Sequence, residues 1–152
     1  MRMKPAIARR ALSAALFAAL LHAFPAAAKA PQVLPDKMFG NLFALTQAAT
    51  VLQICAESAD WAALPDRKKQ LHKRLMDDID GLVRKIARKF DSDVFGFYAS
   101  QRDETARDPE FVRHYGKQYG ICGDRMFERM QWYVYDSRQK LDLFLSELPD
   151  AK

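Results

Sequence analysis

From Asp36 onward, apolar side chains fall at Met38, Leu42, Leu45, Ala49, Leu52 and Ala56, alternate steps of four and three that describe one face of a helix. Phe39 and Phe43 widen that face, Asp36 is a fitting N-cap, and the spacing predicts a helix ending near Ser58. Asp60 to Asp66, with Pro65 inside, forms the connection. The next stripe is the clearest in the chain: Leu71, Leu75, Ile79, Leu82, Ile86 and Phe90 line one side, while Arg67, Lys68, Lys69, Lys73, Arg74, Arg84, Lys85, Arg88 and Lys89 crowd the other. This is an amphipathic helix of about 24 residues, roughly 36 Å long.

Ser92 caps a third helix running to about Arg107, with Phe95, Phe97, Tyr98 and Ala99. Asp108-Pro109-Glu110 restarts the chain with an N-cap, a proline at the first helical position and an acid in the first turn. The short helix that follows extends to about Gln118 and brings Phe111 and Tyr115, then Tyr119. Gly116, Gly120 and Gly123 punctuate this stretch. The last helix runs from about Asp124 to Leu148, with Phe127, Met130, Val134, Leu141, Phe144 and Leu148 on one face, and Pro149 stops it. Four long helices and a short one, joined by short connections, predict an all-α antiparallel up-down bundle.

One helix departs from the simple stripe. With Phe127 at 0°, the last helix's main face centres near 310°, yet Trp132 projects at about 140°, Leu143 at about 160° and Tyr135 at about 80°. Either this helix is central and packs neighbours on two sides, or Trp132, Tyr135 and Leu143 form an exposed anchor for a partner. Tyr115 and Tyr119, in the glycine-punctuated stretch, are a second candidate recognition element.

The N-terminus changes how the charge is read. Arg2, Lys4, Arg9 and Arg10 precede an apolar run from Ala11 to Phe24, then Pro25 and Ala26-Ala27-Ala28. Charged region, short apolar region and small residues at the cut site make a secretory signal peptide over residues 1–28, cleaved after Ala28. The run of about 14 residues is short for a bilayer span of roughly 20. The chain therefore divides into a signal at 1–28, an extended leader at 29–36, a single helical domain at 37–148 and a tail at 149–152. The whole chain carries a formal charge of +5, and removing the four basic residues of the signal leaves a domain near +1. What remains basic is one helix face, where Lys69, Lys73, Arg84 and Arg88 belong to a net +4 over residues 66–91. That face is read first as a solvated surface with pairs such as Lys73–Asp77, and second as a patch for an acidic partner or a polyanion.

Export places the two cysteines in an oxidising compartment, where an even pair is read as a disulfide. Cys55, near the end of the first long helix, and Cys122, just before the last, fall at the same end of an up-down bundle. The bridge is geometrically natural.

Catalytic signatures are missing: the sequence contains no G-x-S-x-G, H-E-x-x-H, P-loop or G-x-G-x-x-G pattern. Asp77, Asp78 and Asp80 before Gly81 fail the calcium-loop spacing and read as a helix face. His72 lies about 40° from the centre of its helix's apolar face and reads as a packed histidine. With His114 it makes only a weak metal pair, and Met38, Met76, Met126 and Met130 read as core filler. The pattern thus points to a small exported helical protein without catalytic function or cofactor, located in the periplasm. There it binds a protein partner of the cell envelope in an inhibitor, immunity-type or assembly-accessory role. Nucleic acid is not expected as a partner, and a peripheral membrane contact is the lesser alternative. A bundle holding a small ligand, metal or haem through His72, His114 or Met130 is the second reading, and an enzyme of unidentified class the third.

Overall fold

The computed structural model describes residues 34–90 and 93–147. The expected signal peptide and most of the expected leader, Ser92, Leu148 and the tail lie outside the described residues. Among the described residues five α-helices follow one another: α1 Asp36–Glu57, α2 Asp66–Phe90, α3 Val94–Ala106, α4 Pro109–Tyr119 and α5 Asp124–Glu147, with a 3-10 turn, Ala59–Trp61, between α1 and α2. The all-α bundle expected from the periodicity is the fold.

Local chemistry sets the boundaries. Asp108 caps α4, its side chain accepting the Glu110 N–H at 2.9 Å, with Pro109 at the first helical position. At α3 the cap is Asp93 instead of the expected Ser92, because its carboxylate reaches the Gly96 N–H at 3.0 Å. At α1 Asp36 is already helical and Pro35 occupies the cap position. Its carbonyl accepts from Met38 and Phe39.

Cross-helix contacts fix the directions. The Tyr98 hydroxyl donates to Asp80 at 2.7 Å and Arg84 lies over Phe95 at 4.0 Å, so α2 and α3 are antiparallel. Asp78 pairs with Arg138 at 3.0 Å and Lys85 with Asp142 at 2.6 Å, while Lys68 pairs with Asp124 near the start of both helices. Thus α2 and α5 run the same way. Asn41, buried on α1, donates to the Ser137 carbonyl of α5 at 3.0 Å, and Cys55 is disulfide-bonded to Cys122 with Cα atoms 5.0 Å apart. These contacts make α1 and α5 antiparallel, completing an up-down-up-down order with α4 as the short extra helix.

The centre of the bundle is α1, which packs against all four other helices. No charged residue lies between Lys37 and Glu57, and its C-terminal half is buried nearly all round at Thr46, Ala48, Ala49, Thr50, Val51, Leu52, Ile54 and Cys55. Thr46 and Thr50 satisfy their buried hydroxyls on the carbonyls one turn back, Leu42 and Thr46, each at 2.8 Å. Among the described residues α1 alone is long and apolar enough to cross a membrane, but 67% of its most apolar window is buried inside the protein. It is a core helix.

This corrects the reading of α5 as a helix packed on two sides. Its Met126, Phe127, Met130, Val134 and Leu141 face the core, whereas the opposite patch has no helix over it. The central position is held by α1, and α5 packs its one apolar face against α1 and α2.

Candidate partner-binding surface

The outward patch of α5 is left uncovered by the fold. Trp132 is 48% exposed, Tyr135 63% and Leu143 63%. Steps of three and eight residues put them along one side of the helix. Phe39, Phe43 and Phe97 are the other exposed large hydrophobics among the described residues.

At its N-terminal end this patch meets α4. Phe111, Tyr115 and Tyr119, four residues apart, form a ladder along α4: Phe111 stacks on Tyr115 with ring centres 4.5 Å apart, and Tyr115 leans on Tyr119 at 5.7 Å. On α5, Trp132 meets Tyr133 edge-on at 5.4 Å, and the Arg129 guanidinium lies over both rings, 4.9 Å from one and 5.0 Å from the other. Tyr119 and Trp132 border one open groove of about 500 Å³, with Arg125, Glu128 and Arg129. Tyr119 and Trp132, one from each candidate element, therefore border one groove.

The connection that brings them together explains its glycines. Gly120 ends α4 at φ +70° with its N–H on the Gly116 carbonyl at 3.1 Å, a conformation that disfavours any Cβ. A Cβ on Gly123 would sit 3.3 Å from the Tyr119 carbonyl oxygen. Cys122, itself at φ 59°, closes the turn onto Cys55. The loop is thus tight turn chemistry that positions Tyr115 and Tyr119 at the end of the preceding helix. Because α4 buries no residue completely, the disulfide and the half-buried Tyr115 and Ile121 are what hold it to α1.

Partial burial raises the Tyr115 pKa, and the neighbouring Tyr133 and Tyr119 raise it further. Hydrogen bonding to the Tyr133 hydroxyl, then that phenol's charge, hold Arg129 above its ordinary value.

Leu143 lies further along, at the edge of a second groove of about 530 Å³ between the start of α1 and the end of α5, which Met38, Asn41, Ala44 and Phe144 also line. Tyr135 borders neither groove and projects between them on the outer side of α5.

The basic face of α2 is partly engaged within the protein. Lys73 pairs with Asp77 at 2.7 Å, Arg84 stacks on Phe95, and Lys69 reaches the Ala62 carbonyl at 3.4 Å beside the Trp61 ring. Arg88 is exposed. The neighbouring acids are equally committed, Asp78 to Arg138 and Asp80 to Tyr98. The weak metal candidates do not assemble a site. His72 is buried, its Nε2 2.8 Å from the Leu52 carbonyl oxygen and its ring against Trp61, whereas His114 is exposed on α4 beside Tyr115. Met130 is fully buried in the core. Among the described residues no group of three or more His, Cys, Asp or Glu side chains is placed to hold a metal ion.

Comparison with protein-family models, curated proteins and solved structures gives no match. The surface must be read from its own chemistry. Arg125, Arg129 and Tyr133 were not singled out from the sequence, although a signal existed: Arg129 stands three residues before Trp132 and four before Tyr133, the spacings at which helical side chains meet.

Proposed function

We propose that this protein is exported to the periplasm through a cleaved signal peptide and there binds a protein of the cell envelope through the α4–α5 aromatic surface, without catalysing a reaction. The observation that carries this reading is Trp132: a half-exposed tryptophan held under the Arg129 guanidinium beside Tyr119 and Tyr133. Tryptophan, tyrosine and arginine are the residues that dominate binding hot spots, and rigid aromatic rings lose little entropy on contact. The Cys55–Cys122 bridge supports an oxidising location. The test is crosslinking with mass spectrometry in the producing cell, comparing wild type with Trp132→Ala. A reproducible envelope adduct that disappears in the variant supports binding through this surface. An adduct pattern identical in the two proteins contradicts it.

A further inference from the structure

Resting on that reading, we infer that the partner presents a pair of carboxylates to Arg125 and Arg129, seated beside an apolar residue that covers Trp132. Arg125 and Arg129 stand one turn apart on α5 and line the same groove, and neither has an acidic partner at ion-pair distance among the described residues. On α2, Lys68, Lys73 and Lys85 are each paired with an aspartate, while the other basic residues of that helix, like these two arginines, have no ion pair among the described residues; what distinguishes Arg125 and Arg129 is that they share a groove with an exposed tryptophan. Two guanidiniums, seven and three residues before an exposed tryptophan, against the single Glu128 carboxylate in the groove leave a local positive surplus, and a planar guanidinium matches a carboxylate through two parallel hydrogen bonds.

Arg129 is also fixed in advance. Its stack on Trp132 and Tyr133 limits its rotamers, so less freedom is lost when an anion is bound. Glu128, between the two arginines in the same groove, shapes the choice of anion. A discrete pair of carboxylates reaches the two arginines without meeting Glu128, whereas a dense, continuous anionic surface meets its like charge. A protein segment with acidic side chains next to a hydrophobic one fits better than an anionic lipid headgroup layer.

The experiment uses the full chain in its producing cell, with a photo-crosslinking benzoylphenylalanine in place of Gln139, an exposed residue two turns beyond Trp132 on the same side of α5. Adduct yield is compared in four backgrounds: unmodified, Arg125→Glu/Arg129→Glu, Arg125→Lys/Arg129→Lys, and Trp132→Ala. Carboxylate recognition predicts a protein adduct whose crosslinked peptide contains Asp or Glu, a tenfold or greater loss of yield on charge reversal, and a smaller loss with the lysine pair. Circular dichroism of the purified variants separates lost binding from lost folding, since both arginines are exposed. If charge reversal leaves the yield within twofold while Trp132→Ala abolishes it, the binding surface stands and the carboxylate inference is overturned. A phospholipid adduct in place of a protein one also overturns it. If Trp132→Ala leaves the adduct unchanged, the proposed function fails and this inference with it.

Discussion

Removing the Cys55–Cys122 bridge tests the architecture and the site together. The cysteines are 67 residues apart in sequence, and closing a loop of that length in the unfolded chain corresponds to about 4 kcal/mol of stability. A helical domain of about 115 residues has roughly 6–17 kcal/mol in all, so the loss takes a large share. With an unfolding entropy of about 2 cal/mol/K per residue, the melting temperature falls by about 15–20 °C. Alanine is the appropriate replacement at both positions, because Cys55 is 0% and Cys122 4% exposed and serine would bury two hydroxyls. Guanidinium denaturation of Cys55→Ala/Cys122→Ala against wild type measures the difference. The effect is not uniform across the fold. The bridge anchors the Gly120–Gly123 turn, and α4 buries no residue completely, so amide exchange in Pro109–Tyr119 accelerates before the rest of the bundle loosens. A midpoint shift equivalent to less than about 1 kcal/mol, or exchange in α4 no faster than in wild type, refutes the assignment of that role to the bridge.

Other substitutions probe single links. Gly120→Ala places a Cβ on a residue with φ +70° and costs about 2 kcal/mol by thermal or chemical denaturation, while Gly81→Ala in the open middle of α2 gains up to about 1 kcal/mol. Tyr98 is fully buried with its hydroxyl on Asp80, and burial first, then that hydrogen bond and the Asp80 charge, raise its pKa. Its contribution is therefore complete below the ordinary phenol range near 10 and is lost as pH rises through and beyond it. Tyr98→Phe removes about 1.5 kcal/mol at pH 7, and the difference from wild type narrows in melts above pH 10. Trp132→Ala changes stability by less than about 1 kcal/mol, because the ring is half-exposed on a helix surface, and a larger loss in calorimetry shows that the ring is packed.

Much of this fold is written locally. The stripe from Leu71 to Phe90 fixes α2 almost to the residue, and Asp108-Pro109-Glu110 marks the start of α4 because capping depends only on neighbouring backbone groups. The disulfide was legible because up-down order puts the end of α1 and the beginning of α5 at one end of the bundle. Which helix lies at the centre was harder to see. The apolar stripe of α1 suggested a single buried face, and the uncharged stretch from Met38 to Ala56, which tells of burial on several sides, is a signal of absence. For α5 the helical wheel gave the direction of Trp132 correctly but could not say whether a neighbour stands there. That depends on where α1 and α3 pack, a property of the whole bundle. The groove itself arises only when the Gly120–Gly123 turn sets Tyr119, at the end of α4, on the rim that it shares with Trp132.

The most direct measurement is the affinity of the envelope protein captured by crosslinking for purified wild type and for Trp132→Ala, taken with melting curves of the same two samples. A partner-binding surface centred on Trp132 gives binding at least tenfold weaker, about 1.4 kcal/mol or more, with melting temperatures within a few degrees of each other. Equal affinities, or a variant whose binding falls only in step with its folded fraction, contradict it.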